Sequence, residues 1–356
     1  MLLKLFSRGN TLIAGDLVEV RSAEEILATL DEHGNLEGLP FMPEMLAYCG
    51  KQMRVDKVAH KTCDTVRPVR GRTLLRAVHL EGIRCNGAAH DGCQALCTFF
   101  WKEAWLKKVG TAKPVARSAQ PSTGSARCTV ETLQRECRRP VGPDGVVRYR
   151  CQATDLPDYT GPLAWWNPWQ YIMDAVTGNW SVGHVLRVVF LGAWRRVIET
   201  GVGYRAQIAT YNVVARSVGG RPWCNLVGPL PRGAPTPGSD LNVAPGDVVR
   251  IRPRAEIVAT LSETSKNRGL MFDPEMERYC GSTHRVRSII TRIIDEKTGA
   301  MIDMKQPCIV LQDVYCKSDY SKQRLMCPRA IVSYWRPLWL EKLPADTPVD
   351  PQARSS

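Results

Sequence analysis

Two segments of the chain carry nearly the same sequence, and this duplication limits the folds that the chain can adopt. They begin at Gly15-Asp16 and Gly246-Asp247 and are about half identical over their first aligned block. The aligned blocks are residues 15–55 with 246–286, residues 80–85 with 311–316, and residues 101–106 with 335–340. A residue type kept in both copies is expected to serve the fold of the module, whereas one found in a single copy is free to serve a specific function.

The two copies and the sequence between them predict three structured regions joined by linkers. A chain of 356 residues with 44% hydrophobic residues is long and apolar enough to bury a sizeable core. The predicted regions are module 1 (residues 1–109), a flexible linker (110–127), a middle domain (128–227), a Pro/Gly-rich linker (228–245), module 2 (246–345) and a disordered tail (346–356).

Each copy opens with a Gly-Asp turn followed by aliphatic residues, which predicts a β-strand. A short helix is predicted next, at residues 24–30 with Ser22 as its N-cap and at residues 255–261 in the second copy. Further strands are predicted at residues 53–58, 76–84, 284–290 and 308–315. Both modules are therefore expected to be mainly β.

The opening pattern Gly-Asp-x-Val-x-Val/Ile resembles the first strand of SH3-like and KOW-type small β-barrels. This resemblance covers the opening strand of each copy and implies tandem modules that dock nucleic acid or protein. The expected fold class is α+β, with two homologous, mainly-β, small-barrel-like modules flanking a helical middle region. The closing Trp-x-x-x-Trp-Leu motif of each copy is expected to cap the core of its module.

The middle region is expected to begin with a hairpin around residues 142–145 and then to become helical. Ser181 is predicted to cap a helix that runs from Val182 to about Thr200. The predicted buried face of this helix consists of Val182, Val185, Leu186, Val189, Ala193 and Val197. The alternatives for residues 182–198 are a groove on a partner protein or the surface of an anionic membrane.

A run of three cysteines and a histidine is the strongest chemical signal in the chain. Cys85, His90, Cys93 and Cys97 lie close together in a stretch that also contains glycines. Zn²⁺ takes four thiolate or imidazole ligands, and iron–sulfur clusters take four thiolates. The preferred ligand set is Cys63, Cys85, Cys93 and Cys97, with His90 replacing one of them or supporting them. The alternatives are buried structural thiols and disulfide or redox chemistry.

Module 2 keeps part of this pattern, with thiols that align with Cys85 and Cys93 but no counterpart for His90 or Cys97. We expect it either to hold a rearranged metal site or to have lost the metal and kept the fold. The candidate second set is Cys308, Cys316 and Cys327, completed by Cys280 or His284. Four further cysteines are too widely spaced to define a site and form at best a third cluster: Cys128, Cys137, Cys151 and Cys224.

The formal net charge of +13 favours partners that carry negative charge. Two arginine groups are candidate sites for nucleic acid or another anion, because guanidinium binds phosphate with two hydrogen bonds. The first group lies in a predicted loop and consists of Arg67, Arg70 and Arg72. The second alternates along a predicted strand and consists of Arg250, Arg252 and Arg254. The alternative is the ordinary solvated surface of a basic protein.

These patterns predict a binding or scaffold protein stabilised by structural Zn²⁺, with nucleic acid or an acidic protein as its partner. The alternative is a metalloenzyme or iron–sulfur oxidoreductase that acts on a small molecule in a cleft between the two modules. The first residues lack the pattern of a secretory signal and no stretch is apolar enough to span a membrane, so a cytoplasmic location is expected.

Overall fold

The computed structural model describes residues 12–66, 70–110, 128–321 and 323–350. The chain divides into two compact units. Unit 1 comprises residues 1–181, 292–302 and 327–329, and unit 2 comprises residues 182–291, 303–326 and 330–356. Residues 128–181 of the predicted middle domain therefore belong to the same unit as module 1, whereas residues 182–227 belong to unit 2.

Unit 1 contains module 1 and a short helical segment. Its strands are β1 (Leu17–Val20), β2 (Asn35–Leu36), β3 (Leu39–Pro40), β4 (Gln52–Val58), β5 (Lys61–Asp64), β6 (Arg70–Thr73), β7 (Ala77–Leu80), β8 (Trp101–Lys102), β9 (Leu106–Lys108) and β10 (Gly161–Leu163). Its α-helices are α1 (Ala23–Leu27), α2 (Val130–Glu136), α3 (Leu156–Tyr159) and α4 (Trp169–Val176). Its 3₁₀ helices are Pro43–Tyr48, Ala88–His90 and Glu103–Trp105.

The remaining elements belong mainly to unit 2. The strands are β11 (Val248–Ile251), β12 (Lys266–Asn267), β13 (Leu270–Met271), β14 (Thr283–Ile294), β15 (Met301–Tyr315), β16 (Val332–Trp335) and β17 (Leu340–Lys342). The α-helices are α5 (Val182–Glu199), α6 (Tyr204–Ser217) and α7 (Arg254–Ala259), and the 3₁₀ helices are Glu277–Tyr279 and Pro337–Trp339. The tip of the β14–β15 hairpin, residues 292–302, belongs to unit 1.

The five-stranded sheets of the two modules have the same strand order. It is β8-β7-β4-β1-β9 in module 1 and β16-β15-β14-β11-β17 in module 2. The register also agrees, because Leu17 pairs with Arg54 and Val248 pairs with Arg285, which are aligned positions. Each opening strand follows a glycine with positive φ, +89° at Gly15 and +96° at the equivalent residue of module 2. Such a backbone favours glycine, which explains the shared turn.

Several local predictions are confirmed. Ser22 caps α1 and forms a capping box with Glu25, and the second copy has its helix α7 at the predicted place. Strands β4, β7, β14 and β15 overlap the predicted strands. The chain is a mixed α/β protein built on small antiparallel sheets. No sheet among the described residues closes into a barrel, so the barrel interpretation is not confirmed.

The closing motif of each module buries its tryptophans completely. In module 1 the Trp105 ring meets Phe41 edge to face at 5.1 Å, and its indole N–H donates to the Thr29 hydroxyl at 3.1 Å. In module 2 Trp339 makes the equivalent contacts, with a ring distance of 5.3 Å and a hydrogen bond of 3.0 Å. Trp105 and Trp339 thus satisfy their indole N–H groups inside an apolar core, whereas the indole nitrogens of Trp101 and Trp335 are buried without a hydrogen bond.

The predicted buried face of the helix at residues 182–200 is wrong except at Val185, the one of its six residues that is buried. Val182, Leu186 and Val197 are 62%, 65% and 52% exposed. The buried residues of α5 are Val185, Val188, Leu191, Gly192, Arg195 and Ile198. Both sides of this helix are apolar, so hydrophobic periodicity did not identify the inner one. Arg195 lies inside because its guanidinium donates to the Tyr211 hydroxyl at 3.2 Å and to a backbone carbonyl.

The predicted turn at residues 142–145 is present, closed by a hydrogen bond of 3.0 Å from the Gly145 amide to the Gly142 carbonyl. A bridge between Arg138 and Tyr149 joins the two arms of this hairpin. Within the described part of the chain, no helix has both the length and the apolar character that crossing a bilayer requires.

A buried histidine in β7 makes stability depend on pH. His79 is 1% exposed, and its Nδ1–H donates to the Phe99 carbonyl at 2.8 Å. Burial lowers the pKa of His79 from 6.5 to about 4. The unfolded chain therefore binds this proton at a higher pH than the folded protein, and stability falls as the pH drops from about 6.5 towards 4.

We expect His79→Asn to reduce the loss of unfolding free energy between pH 7.5 and pH 5 by about 2 kcal/mol. Urea unfolding at the two pH values measures this change. The free energies of unfolding at the two pH values are subtracted, because any cost of the substitution that does not depend on pH then cancels. An unchanged pH dependence in His79→Asn would show that this histidine does not stay neutral when folded.

Candidate metal centre

One group of potential metal ligands is assembled in the described part of the chain. Glu44, Cys85 and His90 offer a carboxylate oxygen, a sulfur and a ring nitrogen within 4.8 Å of one another. Glu44 lies on the 3₁₀ helix Pro43–Tyr48, Cys85 lies in the loop after β7, and His90 ends the 3₁₀ helix Ala88–His90. All three belong to unit 1.

Hydrogen bonds converge on one oxygen of the buried Glu44 carboxylate. Its Oε1 accepts from the backbone amide of Ala89 at 3.1 Å, lies 3.1 Å from His90 Nδ1, and accepts from the Cys85 thiol at 3.7 Å. The other ring nitrogen, His90 Nε2, lies 3.0 Å from the Arg150 carbonyl. The carboxylate therefore holds together the start and the middle of the loop at residues 85–97.

The second oxygen of this carboxylate has no partner. Glu44 Oε2 is buried and makes no hydrogen bond, while the Glu44 side chain as a whole is only 5% exposed. A buried charged oxygen without a hydrogen bond costs free energy. This oxygen is thus available to a cation.

The backbone of the loop at residues 85–97 is tightly closed. The Cys85 amide donates to the Cys97 carbonyl at 2.8 Å, and the Gly92 amide donates to the Gly87 carbonyl at 3.0 Å. Gly87 has a φ of +71°, and a Cβ at this position would lie 1.9 Å from the Cys93 carbonyl oxygen. Only glycine fits there, which explains why the sequence between the cysteines is rich in glycine.

The electrostatics of the site favour a charged Glu44 and neutral thiols. Burial by itself would raise the pKa of Glu44, but the nearby imidazole of His90 lowers the pKa of this carboxyl below its usual value. Burial raises the pKa of the Cys85 thiol strongly, and the Glu44 carboxylate raises it further. Without a cation Cys85 is therefore a thiol, whereas a bound metal ion would remove its proton.

A small cavity of about 30 Å³ lies beside this group. Its wall includes His90 and four thiols, those of Cys85, Cys93, Cys97 and Cys151. A space of this size holds one or two water molecules or a single ion, because a water needs about 10–15 Å³. It is much smaller than the pockets of about 300–1,000 Å³ that take small-molecule ligands.

The preferred cysteine set of module 1 is only partly brought together. Cys85, Cys93 and Cys97 share the cavity wall, but no three of the predicted ligands fall within 4.8 Å of one another in the described chain. Cys63 lies buried in β5, where its carbonyl accepts from the Arg329 guanidinium at 3.3 Å. Cys63 is not part of the cavity wall.

No second group of ligands is assembled in the described part of module 2. Cys308 lies in β15 and its sulfur accepts from Arg336 at 3.6 Å, while the Cys316 sulfur lies 3.3 Å from the Ser318 hydroxyl. Cys308 and Cys316 belong to unit 2, whereas Cys327 belongs to unit 1. His284 Nε2 lies 2.7 Å from a serine hydroxyl.

Module 2 nevertheless keeps two of the three members of the module 1 group. Glu275 aligns with Glu44, and Cys316 aligns with Cys85. The amide of Cys316 donates to the Ile331 carbonyl at 2.8 Å, as that of Cys85 donates to its aligned partner. Burial, together with the charge of the nearby Asp319, raises the pKa of Glu275 to about 7. The imidazole of His90 is therefore what sets module 1 apart.

The arginines of the second candidate anion site form ion pairs within the protein. Arg250 pairs with Glu341 at 2.7 Å, Arg252 with Glu256 at 3.1 Å, and Arg254 with Glu277 at 2.9 Å. They do not alternate along one strand, because β11 ends at Ile251 and Arg254 begins α7.

The first candidate anion site, which comprises Arg67, Arg70 and Arg72, also makes contacts within the protein. The Arg72 guanidinium donates to the Thr160 carbonyl at 2.8 Å and pairs with Asp64 at 3.5 Å. Arg70 is exposed on β6, and Arg67 lies outside the described residues. Four of the six predicted anion-binding arginines thus form ion pairs with carboxylates of this chain.

Glu44 was missed at the level of the sequence. The signal that marked it was its presence in both copies within Pro-Glu-Met, which the alignment attributed to the fold of the module. Its role at the site became visible only with His90 beside it.

A comparison of the chain with protein-family models, curated proteins and solved structures finds no match in any of the three.

The two aligned glutamates are expected to respond in opposite ways to Glu→Gln substitution at pH 8. Glu44→Gln removes a carboxylate that the nearby imidazole stabilises, so we expect the free energy of unfolding to fall by about 1–3 kcal/mol. Glu275→Gln removes a carboxyl whose ionisation is unfavourable, so stability is expected to rise. Urea unfolding of the two variants measures both changes, and equal effects would contradict this assignment.

Proposed function

We propose that the protein is a zinc-stabilised binding protein in which Glu44, Cys85 and His90 hold the ion. The observation that carries the proposal is the assembly of these three side chains within 4.8 Å, with Glu44 Oε2 buried and unpartnered. A carboxylate, a thiolate and an imidazole together suit Zn²⁺.

The hydrogen bonding of His90 supports ligation through Nδ1. A histidine that binds a metal through one ring nitrogen usually donates the other N–H to a backbone carbonyl or a carboxylate. His90 Nε2 lies 3.0 Å from the Arg150 carbonyl, in agreement with that arrangement. The imidazole is also absent from module 2, so the fold of the module does not require it.

The size of the adjacent cavity favours a structural ion over a catalytic or iron–sulfur centre. A space of about 30 Å³ suits a single ion better than a substrate or a cluster of several iron and sulfide atoms. The proposed ion therefore fastens the loop at residues 85–97 to the helix that carries Glu44. Free thiols of this kind persist in a reducing compartment, which supports a cytoplasmic location as part of the proposal.

The metal proposal predicts that Cys85→Ser loses bound zinc and stability. The protein purified without chelator is expected to contain one zinc per chain by elemental analysis and to melt at a lower temperature after chelator treatment. In Cys85→Ser the zinc is lost, and the chelator no longer changes the melting temperature.

The matched control is Cys316→Ser, at the aligned position of module 2. It also replaces a thiol by a hydroxyl, but no histidine stands beside it, so its zinc content is expected to equal that of the unsubstituted protein. Full zinc occupancy in Cys85→Ser, or equal loss in both variants, would refute the ligand assignment.

For the partner we propose an acidic protein surface. The net charge of +13 attracts anions in general. Arg250, Arg252 and Arg254 are half-exposed and each holds a carboxylate oxygen of this chain, the same group that an acidic protein would present to them.

Fluorescence anisotropy with a labelled polyglutamate peptide and a single-stranded oligonucleotide tests this choice at 50, 100 and 200 mM salt. The peptide is expected to bind, and its affinity is expected to fall steeply as the salt concentration rises, because salt screens exposed charges. Tighter binding of the oligonucleotide would show that nucleic acid is the partner, and salt-insensitive binding would reject charge as its basis.

A further inference from the structure

The segment at residues 128–181 reaches the metal centre through Arg150. The Arg150 carbonyl lies 3.0 Å from His90 Nε2, so the residue next in sequence, Cys151, is placed beside the imidazole. The position of Arg150 is fixed by its own side chain, which donates to Asp155 at 2.5 Å and to the His33 carbonyl at 2.9 Å. Cys151 is thus brought to the site by a well-connected backbone.

Cys151 also shares the cavity wall with Cys85 and His90. It comes from a different part of the sequence than the cysteines of the loop at residues 85–97. Its spacing from them gave no reason to select it. The structure therefore adds a thiol to the neighbourhood of the three assembled ligands.

The local environments of Cys85 and Cys151 are alike. The Cys85 sulfur accepts from the Gly87 amide at 3.3 Å. Burial raises the pKa of Cys151 to about 11, while hydrogen bonds from the Thr154 and Ala153 amides oppose this rise. Both sulfurs thus receive a backbone N–H from the residue two positions further on. Such hydrogen bonds favour the thiolate, the form that binds a metal.

Cys93 and Cys97 line the same cavity. The buried guanidinium of Arg329, which pairs with Glu296 at 2.9 Å, acts on Cys97 with a positive charge that would repel a cation. The Cys93 sulfur also accepts a backbone N–H, from Ile294 at 3.4 Å. We choose Cys151 because the carbonyl of the residue before it contacts His90 Nε2.

A structural zinc site normally has four ligands, whereas the assembled group supplies three. We propose that Cys151 is the fourth ligand, so that the ion held by Glu44, Cys85 and His90 fastens residues 128–181 to module 1. This inference rests on the proposed function. The Cys151 sulfur lies outside the 4.8 Å group, so ligation requires its thiol to turn towards the group and to release its proton to solvent.

Cobalt substitution of the full-length protein tests the inference. Co²⁺ replaces Zn²⁺ in such sites, and each coordinated thiolate contributes to a charge-transfer absorption band. With Cys85 and Cys151 both bound, Cys151→Ser is expected to lose about half of this band and to weaken zinc binding by at least about tenfold, since even supporting residues of metal sites contribute 10–100-fold.

Cys137→Ser is the matched control. Cys137 is also a buried thiol, 3% exposed, on the same hairpin as Cys151, but it is not part of the cavity wall. In Cys137→Ser, the intensity of the cobalt charge-transfer band and the affinity for zinc are expected to equal those of the unsubstituted protein. If Cys151→Ser fails to fold, Cys151→His provides the second variant, and it is expected to restore binding with a band of one thiolate.

The outcomes separate this inference from the proposed function. An unsubstituted protein that binds neither zinc nor cobalt would overturn both. A protein that loses metal in Cys85→Ser but keeps the full band in Cys151→Ser would overturn the role of Cys151 alone. An equal loss in Cys137→Ser would also overturn it, because the effect would then come from packing of the hairpin.

Discussion

The buried tryptophan that closes each module is the contact on which the architecture depends. Trp105 packs edge to face on Phe41 and donates its indole N–H to Thr29, which follows helix α1. One side chain therefore joins the end of the module to its beginning. The same set of contacts recurs around Trp339, and the two modules share one strand order. A core of this kind satisfies the indole without water and fixes how the short strands meet.

On this common scaffold, a buried carboxylate behaves differently in the two modules. Burial raises the free energy of an ionised carboxyl unless a cation or hydrogen-bond donors compensate it. Glu44 has His90 and the Ala89 amide, and its pKa is lowered, whereas the pKa of the aligned Glu275 is raised to about 7. A single added imidazole thus turns a structural carboxyl into part of a candidate ligand set. This difference is the physical basis of the proposed zinc site.

The sequence predicted elements well where neighbours along the chain decide the structure. The Ser22 cap and the turn at Gly15 need only adjacent residues, and both are present. It failed for the helix at residues 182–199, because valine and leucine cover both sides and Arg195 turns inwards to reach Tyr211. Periodicity cannot choose a face when both faces are apolar.

By itself, the sequence determined the doubled module, its opening strands and the concentration of thiols and an imidazole in residues 85–97. Only the tertiary structure decided which donors come together. Glu44, His90 and Arg150 are far apart along the chain, and their contacts depend on how separate elements pack. Spacing along a chain predicts ligands only within one loop, whereas packing brings a distant carboxylate to the assembled group and a distant thiol to the cavity beside it.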